Sequence, residues 1–134
     1  MHSVGRFIVI DTNVLVSTLL TPSGTAAKSV GLVTSGTLIP CYDPQILNEY
    51  HSVLFRAKFH YNKSLVSQLL ALILDVGIQV AAKLSTIDLP DESDRKFYDV
   101  AKTANAYLVT GNIKHFPKEE WVLTPAELVK IFTQ

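Results

Sequence analysis

The chain of 134 residues has few of the features that mark specialised classes of protein. Its single cysteine, Cys41, cannot form an internal disulfide, which excludes a disulfide-stapled scaffold and suits a reducing compartment. Lysine plus arginine equal aspartate plus glutamate at 12 each, so composition carries no basic signature of nucleic-acid binding. No apolar run reaches the ~20 residues of a membrane span, and residues 1–6 lack the basic and apolar regions of a signal peptide.

The composition is that of a compact globular protein, because 48% of the residues are hydrophobic and 18% are charged. A chain of this length can bury one sizeable core and is too short for two. No internal repeat or low-complexity segment interrupts it. We therefore expect a single domain over residues 1–134, located in the cytoplasm and not associated with a membrane.

Short apolar runs alternate with helical patterns along the chain, which is typical of a mainly parallel sheet covered by helices. We expect four to five strands, near residues 6–10, 37–41, 78–80, 107–110 and 121–123. Helices are expected at 13–20, 25–35, 44–54, 63–75 and 90–105, with a last one opening at Thr124. The pattern predicts an α/β fold with three layers, α/β/α.

The fourth predicted helix carries more apolar residues than a single buried stripe requires. They are Leu65, Val66, Leu69, Leu70, Leu72, Ile73 and Leu74. Such an excess predicts a subunit interface, and hence a homodimer.

Asp11 is the most informative residue of the chain. It directly follows the apolar run from Phe7 to Ile10 and precedes a helical pattern that starts near Asn13. Open α/β sheets keep their ligand crevices at the carboxyl ends of the strands, so Asp11 is a candidate for a site there. The alternative is that Asp11 only caps the helix that follows.

Two further acids lie on the inner side of predicted helices. Glu49 falls at the edge of the apolar stripe of the third helix, and half-buried acids usually have a partner or a metal. Asp94 is in line with Phe97 on the fifth helix, whereas Asp99 is expected to point to solvent. The alternatives are a surface glutamate at 49 and, at 94, an acid that favours the positive end of a helix.

Asn112 comes just after a short predicted strand that ends in Gly111, so it also stands at a carboxyl strand end. Its amide oxygen can bind a metal or orient a metal-bound water. Asn13 and Thr110 are candidates for supporting hydrogen bonds to a carboxylate or a water. An asparagine beside a glycine is also common in turns for conformational reasons alone.

Taken together, these segments resemble PIN-domain proteins, and more narrowly the small toxin-like PIN proteins of the VapC type. The matching segments are Ile8 to Leu15, Glu49, Asp91 to Phe97 with Ala101, Leu108 to Asn112, and His115 with Phe116. The resemblance implies a PIN-like fold and a Mg²⁺- or Mn²⁺-dependent ribonuclease, frequently dimeric and often paired with an antitoxin protein.

The resemblance also assigns roles to individual residues. It implies that Asp11, Glu49 and Asp94 are the acidic metal ligands, and that Asn112 stands where VapC-type proteins usually have a fourth acid. Three carboxylates can hold one or two Mg²⁺ ions that activate water for an in-line attack on a phosphodiester. With Asn112 the site lacks one negative charge, which bears on its activity.

Basic residues near these positions are candidates for RNA contacts. The densest basic and aromatic stretch runs from residue 56 to residue 63, and a second group follows Asn112. The candidates are Arg56, Lys58, Lys63, Lys114 and His115. A plain solvated helix end is the alternative for the first group.

Two other functions fit part of the pattern. A phosphatase with an aspartyl nucleophile after its first strand usually needs a second aspartate two residues later, and this chain has Asn13 there. A catalytically weak or inactive PIN-fold protein that binds a metal or a protein partner is the other alternative, and the neutral Asn112 keeps it open.

Overall fold

The computed structural model of the chain describes residues 6–133. Residues 1–5, on which the signal-peptide expectation largely rests, and residue 134 lie outside this range. The strands are β1 (Phe7–Ile10), β2 (Ile39–Tyr42), β3 (Ile78–Gln79), β4 (Tyr107–Val109) and β5 (Val122–Leu123). They form one parallel sheet in the order β3-β2-β1-β4-β5.

Helices flank this sheet and confirm the predicted three-layer α/β/α fold. They are α1 (Thr12–Leu20), α2 (Thr25–Thr34), α3 (Pro44–Leu54), α4 (Lys63–Val76), α5 (Arg95–Ala104) and α6 (Pro125–Phe132). Single 3₁₀ turns lie at Glu92–Asp94 and Ile113–His115. Within residues 6–133, no helix combines the length and the apolar character needed to cross a membrane.

Side-chain caps stabilise the starts of two helices. The Asp43 carboxylate accepts a hydrogen bond from the N–H of Ile46 at 2.8 Å, just before the proline that opens α3. Thr124 and Glu127 form a capping box, with reciprocal hydrogen bonds of 2.9 and 3.2 Å. These side chains satisfy the orphan N–H groups at the two helix starts.

The middle strand β1 is buried on both faces, as parallel strands in α/β folds usually are. Ile8, Val9 and Ile10 are each at most 1% exposed. On one side α5 packs against β1, β2 and β4, while α1 and α6 both contact α2. The carboxyl end of β1, where Asp11 follows, therefore lies deep between helices.

The expectation that Asp99 points to solvent is wrong, because its side chain on α5 is only 1% exposed. Residues 80–91, mostly without regular structure, pass over the outer side of α5. The N–H of Ser85 donates to Asp99 Oδ2 at 3.2 Å, and the Arg95 guanidinium donates to the Ile87 carbonyl at 2.6 Å. A segment outside the sheet needs such partners for its backbone, and helical periodicity alone does not reveal a covering segment.

Helix α4 is only partly covered by the rest of the described chain. Val66 and Ile73 are buried, whereas Leu65 and Leu74 are 43% and 51% exposed. The apolar excess of this helix is thus visible at the surface. The homodimer stays a prediction.

Candidate active site

Asp11 is held at the carboxyl end of β1 by the neighbouring strand β4. Its N–H donates to the carbonyl of Val109 at 3.0 Å, which continues the ladder between β1 and β4. The Thr110 hydroxyl donates to Asp11 Oδ2 at 2.8 Å, and the Asn13 amide donates to the same oxygen at 3.2 Å. The side chain makes no capping bond to α1 and is 5% exposed, so the geometry does not favour the capping alternative.

The turn after β4 is tied to the same carboxylate through Asn13 and Thr110. Asn13 Oδ1 accepts from the N–H of Gly111 at 3.0 Å, and a Cβ added at Gly111 would lie 3.2 Å from that oxygen. The N–H of Asn112 donates to the Thr110 hydroxyl at 2.9 Å. The side chain of Asn112 is exposed and has no hydrogen-bond partner among residues 6–133. Asn112 therefore reaches Asp11 only through the backbone and Thr110.

Glu49 lies half-buried on α3 with both carboxylate oxygens engaged. Oε1 is 2.8 Å from the ammonium of Lys96, and Oε2 accepts a hydrogen bond from the Thr12 hydroxyl. The side chains of Lys96 and Glu49 are 13% and 26% exposed. Neither Lys96 nor Thr12 is singled out by the sequence pattern. The available signals were weak: Thr12 adjoins Asp11, and Lys96 precedes a buried residue of α5.

Asp94 ends the 3₁₀ turn that leads into α5. Its Oδ2 lies 3.3 Å from Nδ1 of His115, an ion-pair distance that lacks the geometry of a hydrogen bond. That oxygen is buried and has no hydrogen-bond partner within the described part of the chain. His115, predicted to contact RNA, thus lies beside one of the candidate acids.

The pKa shifts of Asp11 and Asp94 show that neighbouring acids act on both carboxylates. Burial, together with the charges of Asp94 and Glu49, raises the pKa of Asp11 to about 6, while the hydrogen bond from Thr110 opposes the shift. The pKa of Asp94 is also raised, first by burial, then by the charge of Asp91 and more weakly by that of Glu49, while His115 opposes the shift. The charges of Asp94 and Glu49 therefore reach Asp11, whose own hydrogen bonds come only from neutral side chains within the described residues.

Tyr50 joins the two elements that carry Asp11 and Glu49. It is 1% exposed on α3, and its hydroxyl donates to the carbonyl of Ile10, the last residue of β1. Burial raises its pKa well above the ordinary value, and the charges of Asp11 and Glu49 add to this effect. A buried tyrosine usually finds a partner for its hydroxyl, and here that partner is the last carbonyl of β1.

The three acids are the kind of ligand that a hard divalent cation prefers, but their side chains are not arranged around a common point. Among residues 6–133, no three His, Cys, Asp or Glu side chains are grouped closely enough to hold a metal ion. Glu49 is turned toward Lys96 and Thr12 instead. Carboxylate oxygens are nevertheless the ligands that Mg²⁺ prefers, and the buried Asp94 Oδ2 lacks a hydrogen-bond partner in that part of the chain. The chemistry of the donor set therefore suits such an ion.

The first group of basic candidates lies away from these acids. Arg56 and Lys58 belong to the connection between α3 and α4, and Lys63 is the first residue of α4. All three follow the helix end at Leu54, which is about 8 Å farther along the axis than Glu49. The Lys63 ammonium donates to the carbonyls of Arg56 and Phe59 at 3.0 and 2.6 Å. These contacts stabilise the connection itself.

Lys114 is closer to the acids along the chain. It is exposed in the 3₁₀ turn between Asn112 and His115. Of the five basic candidates, Lys114 and His115 therefore adjoin the acidic region.

A parallel sheet between two layers of helices, with the buried Asp11 directly after its central strand, defines an α/β protein with a candidate acidic site at the carboxyl edge of the sheet. The family model described as the PIN domain matches residues 7–114, and the chain belongs to that family. PIN domains are generally nucleases and typically use divalent metals, so a nuclease-type function in general follows from membership.

The relatives add no named activity. The chain is 28% identical over 115 residues to a protein of Methanocaldococcus jannaschii named uncharacterized protein MJ1680. The match covers 84% of this chain and 74% of that protein. No solved structure matches the chain significantly.

Proposed function

We propose that the protein is a Mg²⁺- or Mn²⁺-dependent endoribonuclease that hydrolyses RNA phosphodiester bonds with water as the nucleophile. The observation that carries the proposal is the burial of the Asp11 carboxylate together with its raised pKa. This carboxylate is 5% exposed at the end of β1, and burial with the charges of Asp94 and Glu49 raises its pKa to about 6. A buried carboxylate whose pKa is raised by burial and by neighbouring acids is suited to bind a cation.

In this proposal Asp11, Glu49 and Asp94 hold the ion. A bound divalent cation supplies the polarisation of the phosphate and the activation of water. Thr110 and Asn13 keep the Asp11 carboxylate in one orientation through their hydrogen bonds of 2.8 and 3.2 Å. No covalent nucleophile is needed.

The residues after β4 are suited to the substrate side of the site. Lys114 is an exposed cation, and the imidazole of His115 lies 3.3 Å from Asp94. We assign to these two residues contacts with RNA phosphates near the cleaved bond. Arg56, Lys58 and Lys63 would contact the RNA farther from that bond. The Asn112 amide oxygen is free to orient a water.

The proposal is tested with purified protein and single-stranded RNA. We expect cleavage with Mg²⁺ or Mn²⁺, none in the presence of a chelator, and none by Asp11→Asn under any of these conditions. Asp75→Asn, which alters an exposed acid at the end of α4, is the matched control and should cleave like the wild type. Equal cleavage by wild type and Asp11→Asn would reject the proposal.

We further propose that the protein is the toxin of a toxin–antitoxin pair, acts in the cytoplasm and forms a homodimer. Support comes from the resemblance to VapC-type proteins and from the exposed side chains of Leu65 and Leu74 on α4. A small gene overlapping or adjoining this one would support the pairing. A monomer mass in light scattering would remove the dimer.

One observation favours a different function, that of a binding protein with weak or no catalysis. Glu49 is paired with Lys96, and the fourth position of the site holds the neutral Asn112. This alternative predicts that metal or a partner protein binds while RNA stays intact at every metal concentration. The metal-titrated cleavage assay therefore separates the two functions.

A further inference from the structure

Lys96 is a largely buried cation inside the acidic region, with its side chain 13% exposed. Its ammonium lies 2.8 Å from Glu49 Oε1, donates to the carbonyl of Ser93 and is 5.1 Å from the ring centre of Phe97. A buried ammonium needs such compensation, since desolvating a charge is costly. Lys96 is therefore an internal counter-cation of the acidic region.

The pairing occupies only one of the three acids. Glu49 uses one oxygen for Lys96 and the other for Thr12, whereas Asp11 takes its hydrogen bonds from the neutral groups of Thr110 and Asn13. A divalent cation that binds Glu49 through Oε1 must displace Lys96 from that oxygen, and one that binds through Oε2 still meets the ammonium beside the same carboxylate. Two cations close to one carboxylate repel each other, so they compete for it.

We infer that Lys96 is a positioning residue that exchanges with the divalent cation. It holds Glu49 as a fixed anion when no metal is bound, and it releases this carboxylate when the metal arrives. The inference rests on the proposed metal-dependent function. It adds that metal affinity is lowered by the chain's own lysine.

The test is a double-mutant cycle on Mn²⁺ affinity, measured by the loss of the electron paramagnetic resonance signal of free Mn²⁺. Lys96→Met keeps the length of the side chain and removes its charge. We expect it to tighten Mn²⁺ binding about tenfold when Glu49 is present, because the competing pair is gone. In the Glu49→Gln background the same substitution should change affinity less than about twofold.

Several outcomes overturn the inference. Weaker binding by Lys96→Met would show that the lysine supports the ion rather than competing with it. Equal tightening in both backgrounds would show a general charge effect, which Lys102→Met, on the exposed side of α5, measures independently. If Lys96→Met does not fold, as judged by circular dichroism, Lys96→Gln carries the same prediction.

The outcomes also separate this inference from the proposed function. Mn²⁺ binding by the wild type that is lost in Asp11→Asn but unchanged in Lys96→Met would overturn the role of Lys96 alone. No Mn²⁺ binding by the wild type, Lys96→Met or Lys96→Gln would reject both the inference and the metal-dependent function.

Discussion

Asp11 and Asp99 are the two charged residues of the described chain that are almost fully buried, at 5% and 1% exposure, and their surroundings differ. Asp11 receives hydrogen bonds from Thr110 and Asn13 and faces other carboxylates. Asp99 accepts a hydrogen bond from the backbone N–H of Ser85. It lies on α5 together with Arg95, and the charge of Asp99 helps to raise the pKa of Arg95. Asp11 is buried near like charges, whereas Asp99 holds a covering segment through Oδ2 and keeps its buried Oδ1 without a hydrogen-bond partner among the described residues.

The contrast shows how burial separates a structural acid from a candidate functional one. A buried carboxylate that serves a backbone N–H beside an arginine stabilises the fold around it. A buried carboxylate among other acids destabilises the protein unless a cation arrives, which is typical of functional sites. By this criterion Asp11, which the sequence pattern indicates, is a candidate functional acid, and Asp99 is a structural acid.

The largest expected effect is on catalysis. Asp94→Asn should lower kcat/KM for RNA cleavage at least about 100-fold, because it removes a proposed ligand of the ion that activates water. Asp99→Asn should stay within about threefold of the wild type, provided that the protein is folded. Similar losses in both variants would erase the distinction between the two acids.

The second largest effect is a difference in the pH dependence of stability between the wild type and Asp11→Asn. The folded-state pKa of Asp11 is raised to about 6 from the ordinary 3.8, so the folded protein binds its proton more tightly than the unfolded chain does. The resulting penalty is absent below pH 3.8, grows as the pH rises toward 6 and then stays constant at up to about 3 kcal/mol. Asp11→Asn removes it.

Urea unfolding with a chelator at pH 4 and pH 7 measures this penalty. From the lower to the higher pH, the wild type should lose stability relative to Asp11→Asn. A constant difference between the two proteins would show that Asp11 does not titrate in this window.

Asp99→Ala should change the free energy of unfolding less than Asp11→Asn does, and in the opposite direction, because it destabilises the protein. Truncation leaves the N–H of Ser85 without its acceptor under the covering segment, which costs about 1–3 kcal/mol of unfolding free energy. Chemical denaturation at pH 7 measures the change. An Asp99→Ala protein as stable as the wild type would show that residues 80–91 do not depend on this contact.

The smallest effect is expected at Asn112. Asn112→Asp restores a negative charge at the position where the VapC-type pattern has an acid, and it should tighten Mn²⁺ binding several-fold at most, because this side chain is exposed. Asn105→Asp at the end of α5 is a control for added charge away from the acids. Unchanged Mn²⁺ affinity in Asn112→Asp would place residue 112 outside the metal site.

Local chemistry explains which parts of the fold the sequence predicts well. The apolar run before Asp11, the proline after Asp43 and the capping box at Thr124 each act within a few residues, and the structure has β1, α3 and α6 at these places. The predicted start of the fifth helix, at residue 90, is less accurate, because the 3₁₀ turn Glu92–Asp94 precedes α5. Helix starts are less sharply encoded than helix faces.

The partners of the site residues depend on contacts between distant parts of the chain. Lys96 meets Glu49 across the α3–α5 packing, and Thr110 meets Asp11 across two strands far apart in sequence. Spacing rules place Glu49 and Asp94 on the inner side of their helices but miss Asp99, and they do not identify the cation or hydroxyl opposite each acid. For the same reason the burial of Asp99 under residues 80–91 is invisible in its helical periodicity.

The central claim is that Asp11, Glu49 and Asp94 share one divalent cation, and the thermal midpoint with and without Mn²⁺ at pH 7 tests it most directly. A cation bound only by the folded state raises the midpoint, and at 100 times its Kd it adds about 2.7 kcal/mol. We predict this rise in the wild type and in Asp99→Ala, and its loss in Asp11→Asn and Asp94→Asn. The same rise in the wild type and Asp11→Asn would contradict the account.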